Sequence, residues 1–231
     1  MEAIILAGGK AERLGEAAGG RPKALVEIAG RPLIAYQIAQ LARAGVARVI
    51  VSCAAEDADA FERELAGPGP DIVTAPERER LGRGGGLRHA AGFRSERGPL
   101  YALNGDELID LDFSALLARH RERNPAATIT VVRPKSPFGI VELGEDDVVG
   151  GFSEEATLPV WVNCGIYVLD EGALVRLPGE GDHETTTFPA LAAEGKLHAF
   201  RHQGLWITVN TPKDLRRASE FVAENPGWLR T

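Results

Sequence analysis

The segment Leu6-Ala7-Gly8-Gly9-Lys10-Ala11-Glu12-Arg13-Leu14 is an apolar run broken by two glycines and followed by cations, with Pro22-Lys23 shortly after it. Glycines let backbone N–H groups approach a ligand closely. Arginine adds a planar, two-pronged donor and lysine a mobile point charge, so together they suit a chain of phosphates. Two glycines alone would make only a turn; the Pro-Lys pair at this distance makes the segment an anion site. The spacing matches neither G-x-x-x-x-G-K-[ST] nor G-x-G-x-x-G, so this is not a P-loop or a dinucleotide fingerprint.

Two further segments belong with it. Leu103-Asn104-Gly105-Asp106 puts a carboxylate on a tight turn at the end of an apolar run. From there Asp106 can hold Mg²⁺, a hard cation that takes one or two carboxylates plus phosphate oxygens. Asn-Gly is also a strong hairpin signal, but a helix is expected to follow here rather than a strand. Leu81-Gly82-Arg83-Gly84-Gly85-Gly86-Leu87 reads either as glycines opening a helix beside a flat base or ribose, or as a flexible loop.

These residues need a frame that brings chain-distant turns together, and the hydrophobic pattern supplies one. Ala3 to Ala7, Arg48 to Ser52, Asp71 to Thr74 and Leu100 to Leu103 read as strands. Between them, Pro32 to Ala44, Asp57 to Leu65, Gly86 to Phe93 and then Phe113 to Arg121 read as helices, with Gly45 closing the first and Asp112 capping the last. Alternating strands and helices imply a parallel sheet covered on both faces, with ligands beyond the carboxyl ends of its strands. Both the Gly8-Gly9 and Asn104-Asp106 turns lie at such ends. After about Asn124, Thr128 to Val132, Gly139 to Leu143, Val160 to Leu169 and Leu197 to His202 read as strands of an antiparallel or mixed extension. Thr211, Pro212 and Asp214 mark the start of a closing helix, Thr211 to Val222.

Composition excludes several classes. The charged fraction is 26% and the net charge is −7, which disfavours a generic nucleic-acid binder but allows an anionic small substrate held by a few local cations. Cys53 and Cys164 make neither a disulfide framework nor a zinc motif. No apolar run is long enough to span a membrane, and the start of the chain is too short and acidic for a signal peptide, so a cytoplasmic setting is expected. The histidines show no metal spacing. Glu77 to Arg80 is expected to be a solvated charged face, Asp110 and Asp112 a turn and a cap, and Cys164 a small core filler.

In this order and spacing, the three segments resemble the sugar-1-phosphate nucleotidyltransferases, closest in flavour to mannose- and heptose-1-phosphate guanylyltransferases. The similarity continues through Phe138-Gly139-Ile140-Val141-Glu142, Phe152-Ser153-Glu154, Asn163-Cys164-Gly165-Ile166-Tyr167 and Trp206 to Pro212. It implies an α/β fold: a Rossmann-like, mostly parallel sheet flanked by helices, with a smaller antiparallel sugar-binding extension. One domain is expected over 1–231, with a nucleotide-binding half to about 124, the extension over about 125–210 and a last helix over 211–223. It implies transfer of a nucleotidyl group from an NTP to a sugar-1-phosphate, releasing pyrophosphate, with Mg²⁺ and without nucleic acid or membrane partners; a homo-oligomer is left open. By resemblance, Arg13, Lys23 and Asp106 are catalytic and Asp106 holds the metal. Leu6, Ala7, Gly8, Gly9, Gly82, Gly84 and Gly85 meet the nucleotide, and Gly139, Glu154 and Asn163 line the sugar pocket.

Three positions depart from the family pattern. Ala11 replaces a common glycine, Glu155 stands where many relatives have a phosphate-binding lysine, and Thr208 stands where many have a second metal-binding aspartate. The glycine segment resembles guanylyl- and uridylyltransferases more than thymidylyltransferases, which usually carry a glutamine there. GTP with a mannose- or heptose-type sugar is favoured; UTP with an amino-sugar phosphate, a non-sugar acceptor, and a non-catalytic binding subunit are the alternatives. No room is expected for an added acyltransferase domain.

Overall fold

The computed structural model describes residues 1–154, 156–226 and 228. The first half winds β1 (Glu2–Leu6), β2 (Glu27–Ile28), β3 (Arg31–Pro32), α1 (Leu33–Arg43), β4 (Arg48–Ala54), α2 (Ala58–Leu65), β5 (Asp71–Glu77), α3 (Gly82–Ala91), β6 (Leu100–Asn104), β7 (Glu107–Ile109) and α4 (Phe113–Arg123). The second half adds β8 (Ala127–Val132), β9 (Ile140–Leu143), β10 (Val149–Ser153), β11 (Val162–Leu169), α5 (Glu171–Leu174), α6 (Thr187–Ala193), β12 (Leu197–Arg201), β13 (Trp206–Thr208) and α7 (Pro212–Glu224).

Seven strands form one sheet in the order β12-β8-β11-β6-β1-β4-β5. The pairs β1–β4, β1–β6, β4–β5 and β12–β8 are parallel, whereas β11 runs antiparallel to both β6 and β8. The expected mostly parallel α/β architecture is therefore present. Of the later strands, β8, β11 and β12 extend the same sheet, because β11 takes the open edge of β6, whereas β9 and β10 pair with each other and β13 pairs with β7. Ile4, Ile5, Val49, Val51, Leu103 and Ile166 are fully buried, as a sheet covered on both faces requires.

Element ends moved in instructive places. Helix α3 begins at Gly82, four residues before the expected start at Gly86, and β5 continues to Glu77. A strand, β7, follows the Asn104-Gly105-Asp106 turn where a helix was expected. It does not fold back on β6; it pairs with β13, whose Thr208 lies opposite Glu107. Long-range pairing of this kind leaves no local signature. Helix α7 starts as the sequence predicts: the Thr211 side chain accepts from the Asp214 N–H, and the Asp214 carboxylate accepts from Thr211 N–H at 2.8 Å.

Helix α1 does more than cover the sheet. Gln37 and Gln40 are buried on its inner side. The Gln37 amide donates to the carbonyls of Asn104 (2.8 Å) and Glu107 (3.0 Å), and Gln40 donates to the carbonyl of Ile109. These carbonyls flank the turn that presents Asp106. Two buried polar side chains thus fix the turn that carries Asp106 from behind, by satisfying backbone groups that would otherwise be orphaned.

Candidate active site

The glycine turn, the Pro22-Lys23 segment and the Asp106 turn meet at the carboxyl end of β1. Gly105 N–H donates to Leu6 O at 2.8 Å, and Lys23 N–H donates to Gly9 O at 3.3 Å. A Cβ on Gly105 would sit 2.7 Å from Leu6 O, so only glycine lets the two turns lie this close. Leu6, Ala7, Gly8, Gly9, Lys23 and Asp106 line one cavity of about 390 Å³, together with Gly82.

Lys23 Nζ lies 2.5 Å from Asp106 Oδ2 and 2.6 Å from Asn210 Oδ1. Its side chain is only 12% exposed, against 30% for Asp106, so the pair is partly shielded from water but open to the cavity. Arg13 is exposed and reaches the same point from the other side, its Nη2 donating to Asn210 Oδ1 at 3.2 Å. Asn210 Nδ2 in turn donates to Thr208 Oγ1 at 3.0 Å. Arg13 and Lys23 therefore meet on Asn210, a residue that sequence reasoning passed over, and Lys23 links them to Asp106. Its only local signal was its place just before the α7 capping box.

The donor set around Lys23 Nζ is a carboxylate, an amide oxygen and, one bond further, a hydroxyl. These are hard oxygen ligands, as Mg²⁺ prefers. Among the described residues no group of three or more His, Cys, Asp or Glu is arranged to hold a metal alone. An ion here would need phosphate oxygens to complete its shell, which is how Mg²⁺ is usually carried in phosphate-transfer sites.

Glu77, expected on a solvated face, is instead half-buried and lines the cavity with Arg80. Its Oε1 accepts from Ser52 Oγ at 2.5 Å and its Oε2 from Leu81 N–H at 3.2 Å, which hold the carboxylate in place at the cavity wall. The reason for the difference is β5, which runs on to Glu77 and turns it inward.

The glycine segment serves two purposes. Gly82 borders the cavity in a left-handed conformation (φ 75°). Gly84 and Gly85 lie instead under residues 178–183, where a Cβ would come within 2.7 Å of His183 N and of Gly179 O respectively. They are packing glycines, not cavity-wall residues. Arg83 anchors the same contact through ion pairs with Asp182 and Glu184.

The three residues assigned to a sugar pocket are spread out. Gly139 and Glu154 flank the β9–β10 hairpin, and a Cβ on Gly139 would meet the Phe152 ring. The Asn163 amide is spent inside the protein, donating to Tyr167 Oη (2.9 Å) and Glu184 Oε1 (2.8 Å) and accepting from Gly165 N–H. None of the three lines the cavity that holds Lys23. Glu155 lies outside the described residues. Cys53 and Cys164 are buried, and burial drives both thiols well up, Cys53 to about 12; neither is poised as a nucleophile.

Beside Asp106, Glu107 is buried and accepts from Trp206 Nε1 at 2.7 Å. Burial, reinforced by the Asp106 charge, raises its carboxyl well above the usual range, while Trp206 and Lys23 oppose the shift. A carboxyl raised on folding contributes stability in full below its unfolded value and loses it as pH climbs through the folded one. Glu107→Gln keeps an acceptor for Trp206 and removes the titration. Its thermal midpoint is expected to fall less than the parent's between mildly acidic and alkaline buffers. Parallel pH–midpoint curves for the two proteins would show that Glu107 takes up no buried charge.

The family model described as "Nucleotidyl transferase" matches residues 2–225. A mannose-1-phosphate guanylyltransferase of Mycobacterium tuberculosis is 32% identical over 95% of the chain, and the catalytic subunit beta of that enzyme from Danio rerio is 30% identical over 99%. The chain covers 64% of the former's length and 70% of the latter's. Among solved structures, HddC of Yersinia pseudotuberculosis complexed with GMP-PN has a TM-score of 0.73 at 23% identity, covering 95% of this chain and 98% of its own. The inositol-1-phosphate CTP transferase of T. maritima has a TM-score of 0.76 at 19% identity, covering 96% and 95%. These two likenesses concern the fold.

Proposed function

The chain belongs to the nucleotidyl transferase family, and from that membership we propose that it transfers a nucleotidyl group from GTP to a mannose- or heptose-type sugar-1-phosphate, releasing pyrophosphate. The observation that carries the reading is the convergence of Lys23, Asp106 and, through Asn210, Arg13 on one cavity at the end of β1. In this reading residues 1–231 act as one nucleotidyltransferase unit in the cytoplasm. Among the described residues no helix is long and apolar enough to cross a membrane.

The chemistry asked of the protein is modest. The acceptor phosphate oxygen attacks the α-phosphorus in line, and the bond to the pyrophosphate breaks as the new P–O bond forms. Phosphoryl-type transfer is catalysed by positioning and charge stabilisation rather than by covalent intermediates. Backbone N–H groups at Gly8 and Gly9 hold the triphosphate. Arg13 clamps its outer oxygens, leaving its bond to Asn210. Lys23 leaves Asp106 and neutralises charge building on the phosphates. Asp106, with Asn210 and Thr208 oxygens nearby, would hold Mg²⁺, which supplies charge neutralisation at the phosphates when bound.

The preference for guanine rests on Glu77. A carboxylate is a pure acceptor, and guanine alone among the common bases offers adjacent N1–H and N2–H donors on one edge. Uracil offers a single N–H between two acceptors, which two carboxylate oxygens repel. Glu77→Gln is therefore expected to lower kcat/KM for GTP by about tenfold, a loss near 1.4 kcal/mol, while UTP use holds or rises. Pyrophosphate release across four NTPs with a panel of sugar-1-phosphates and Mg²⁺ tests both claims. Activity on all four NTPs that the substitution leaves in the same proportions would remove Glu77 from base selection; no release with any pair would overturn the transferase reading.

A further inference from the structure

A second cleft of about 700 Å³ lies against β13, between Trp206–Thr208 and the segment Arg133–Lys135. It shares Thr208 with the first site: Thr208 lines this cleft, and its Oγ1 accepts from Asn210, which contacts Lys23. The two cavities are thus linked through Thr208 and Asn210, with Asp106 one residue from the strand partner of Thr208.

The walls of this cleft are cationic and aromatic. The Arg133 and Arg201 guanidiniums lie over the same Trp161 ring, at 4.8 and 5.3 Å from its centre. Arg217 joins them from α7. Among the described residues, none of these three arginines has a hydrogen-bonded or ion-paired acidic partner. The chain has 33 acidic residues against 26 basic ones, so a described lining with Arg133, Arg201 and Arg217 against a single carboxylate runs against its composition. Among the described residues Asp214 is the one carboxylate on the lining, and its Oδ2 accepts from Asn210 N–H, Thr211 N–H and the Thr211 hydroxyl. These bonds tie that oxygen to the start of α7. His202 faces inward to Asp110 (3.1 Å) and the Leu205 carbonyl.

Stacking holds guanidiniums in a plane with their N–H edges free, which is the geometry for gripping an anion two-handed. We propose that this cleft binds a second anionic group on the acceptor, remote from the phosphate that attacks, so that the preferred acceptor is a sugar-1-phosphate bearing a further phosphate or carboxylate. The inference rests on the acceptor being a sugar phosphate. It adds that Arg133 and Arg201 on Trp161, rather than residues of the β9–β10 hairpin, select which one.

Binding to the full chain without NTP separates this inference from the transferase reading. Calorimetry would compare a hexose 1-phosphate, the corresponding hexose 1,6-bisphosphate, a hexuronic acid 1-phosphate and inorganic phosphate, each with the parent and with Arg133→Ala/Arg201→Ala. At least one of the two doubly anionic sugars is expected to bind about tenfold tighter than the monophosphate, the return on one extra charge-assisted contact. In the double variant that advantage should vanish, and Arg133→Lys/Arg201→Lys should restore part of it by keeping charge without the stacked plane. Equal affinity for all three sugars, or an advantage that survives the double substitution, would overturn the proposal. So would inorganic phosphate binding as tightly as the bisphosphate, since that marks a free-phosphate site. A measured advantage with no turnover on any acceptor would leave the cleft assigned and the transferase reading refuted.

Discussion

Replacing Lys23 with alanine is expected to cut pyrophosphate release by about 10²–10³, the usual cost of losing one preorganised charge donor, or about 2.7–4 kcal/mol. The lysine sits 2.5 Å from Asp106 and 2.6 Å from Asn210, with its side chain 12% exposed, so the charge is delivered to a fixed, partly dry point. The fold should tolerate the change. Asp106 is exposed enough for water to take over its free oxygens, and the turn that carries it is held from behind by Gln37. The thermal midpoint of Lys23→Ala should therefore stay within a few degrees of the parent's while turnover collapses. Full turnover in this variant would take Lys23 out of the mechanism.

The second large effect concerns Asp106. Asp106→Asn preserves the shape of the turn and the approach of Gly105 to Leu6, but removes the carboxylate that holds Lys23 at the cavity. Turnover is expected to fall by at least about 10²-fold. Mg²⁺ binding, followed by calorimetry in the presence of a non-hydrolysable NTP, should weaken in parallel. Thr208→Asp should act in the opposite sense. Thr208 is hydrogen-bonded to Asn210 and lies opposite Glu107 in the β7–β13 pair, so a carboxylate there would add a charged oxygen near the same point and tighten Mg²⁺ binding. Magnesium titrations that coincide for the parent and both variants would place the ion somewhere else.

Much of this site was legible in the chain because its parts obey local rules. A buried apolar run that stops at Gly8-Gly9, and another that stops at Asn104-Gly105-Asp106, mark the carboxyl ends of parallel strands, and such ends lie on one side of a sheet. Lys23 could be added because Pro22-Lys23 follows too closely to be elsewhere. Other parts left no local trace. Asn210 is one polar residue before a helix cap, and nothing in its neighbours says that its amide oxygen receives both Lys23 and Arg13. Glu77 was masked by the alternating charges around it, since its inward turn depends on how far β5 runs. Gly84 and Gly85 looked like ligand-approach glycines but serve a close contact with residues 178–183.

Periodicity, turn chemistry and capping residues act over a few positions, so the sequence alone determined the α/β alternation, the capped start of α7 and the glycine turn that ends β1. Which side chains share a cavity is a matter of strand order and long-range pairing. The antiparallel seat of β11 on β6, the β7–β13 ladder and the two arginines on Trp161 join residues far apart in the chain. Contacts of that range are selected by the burial and hydrogen bonding of the whole sheet, and only the tertiary structure could decide them.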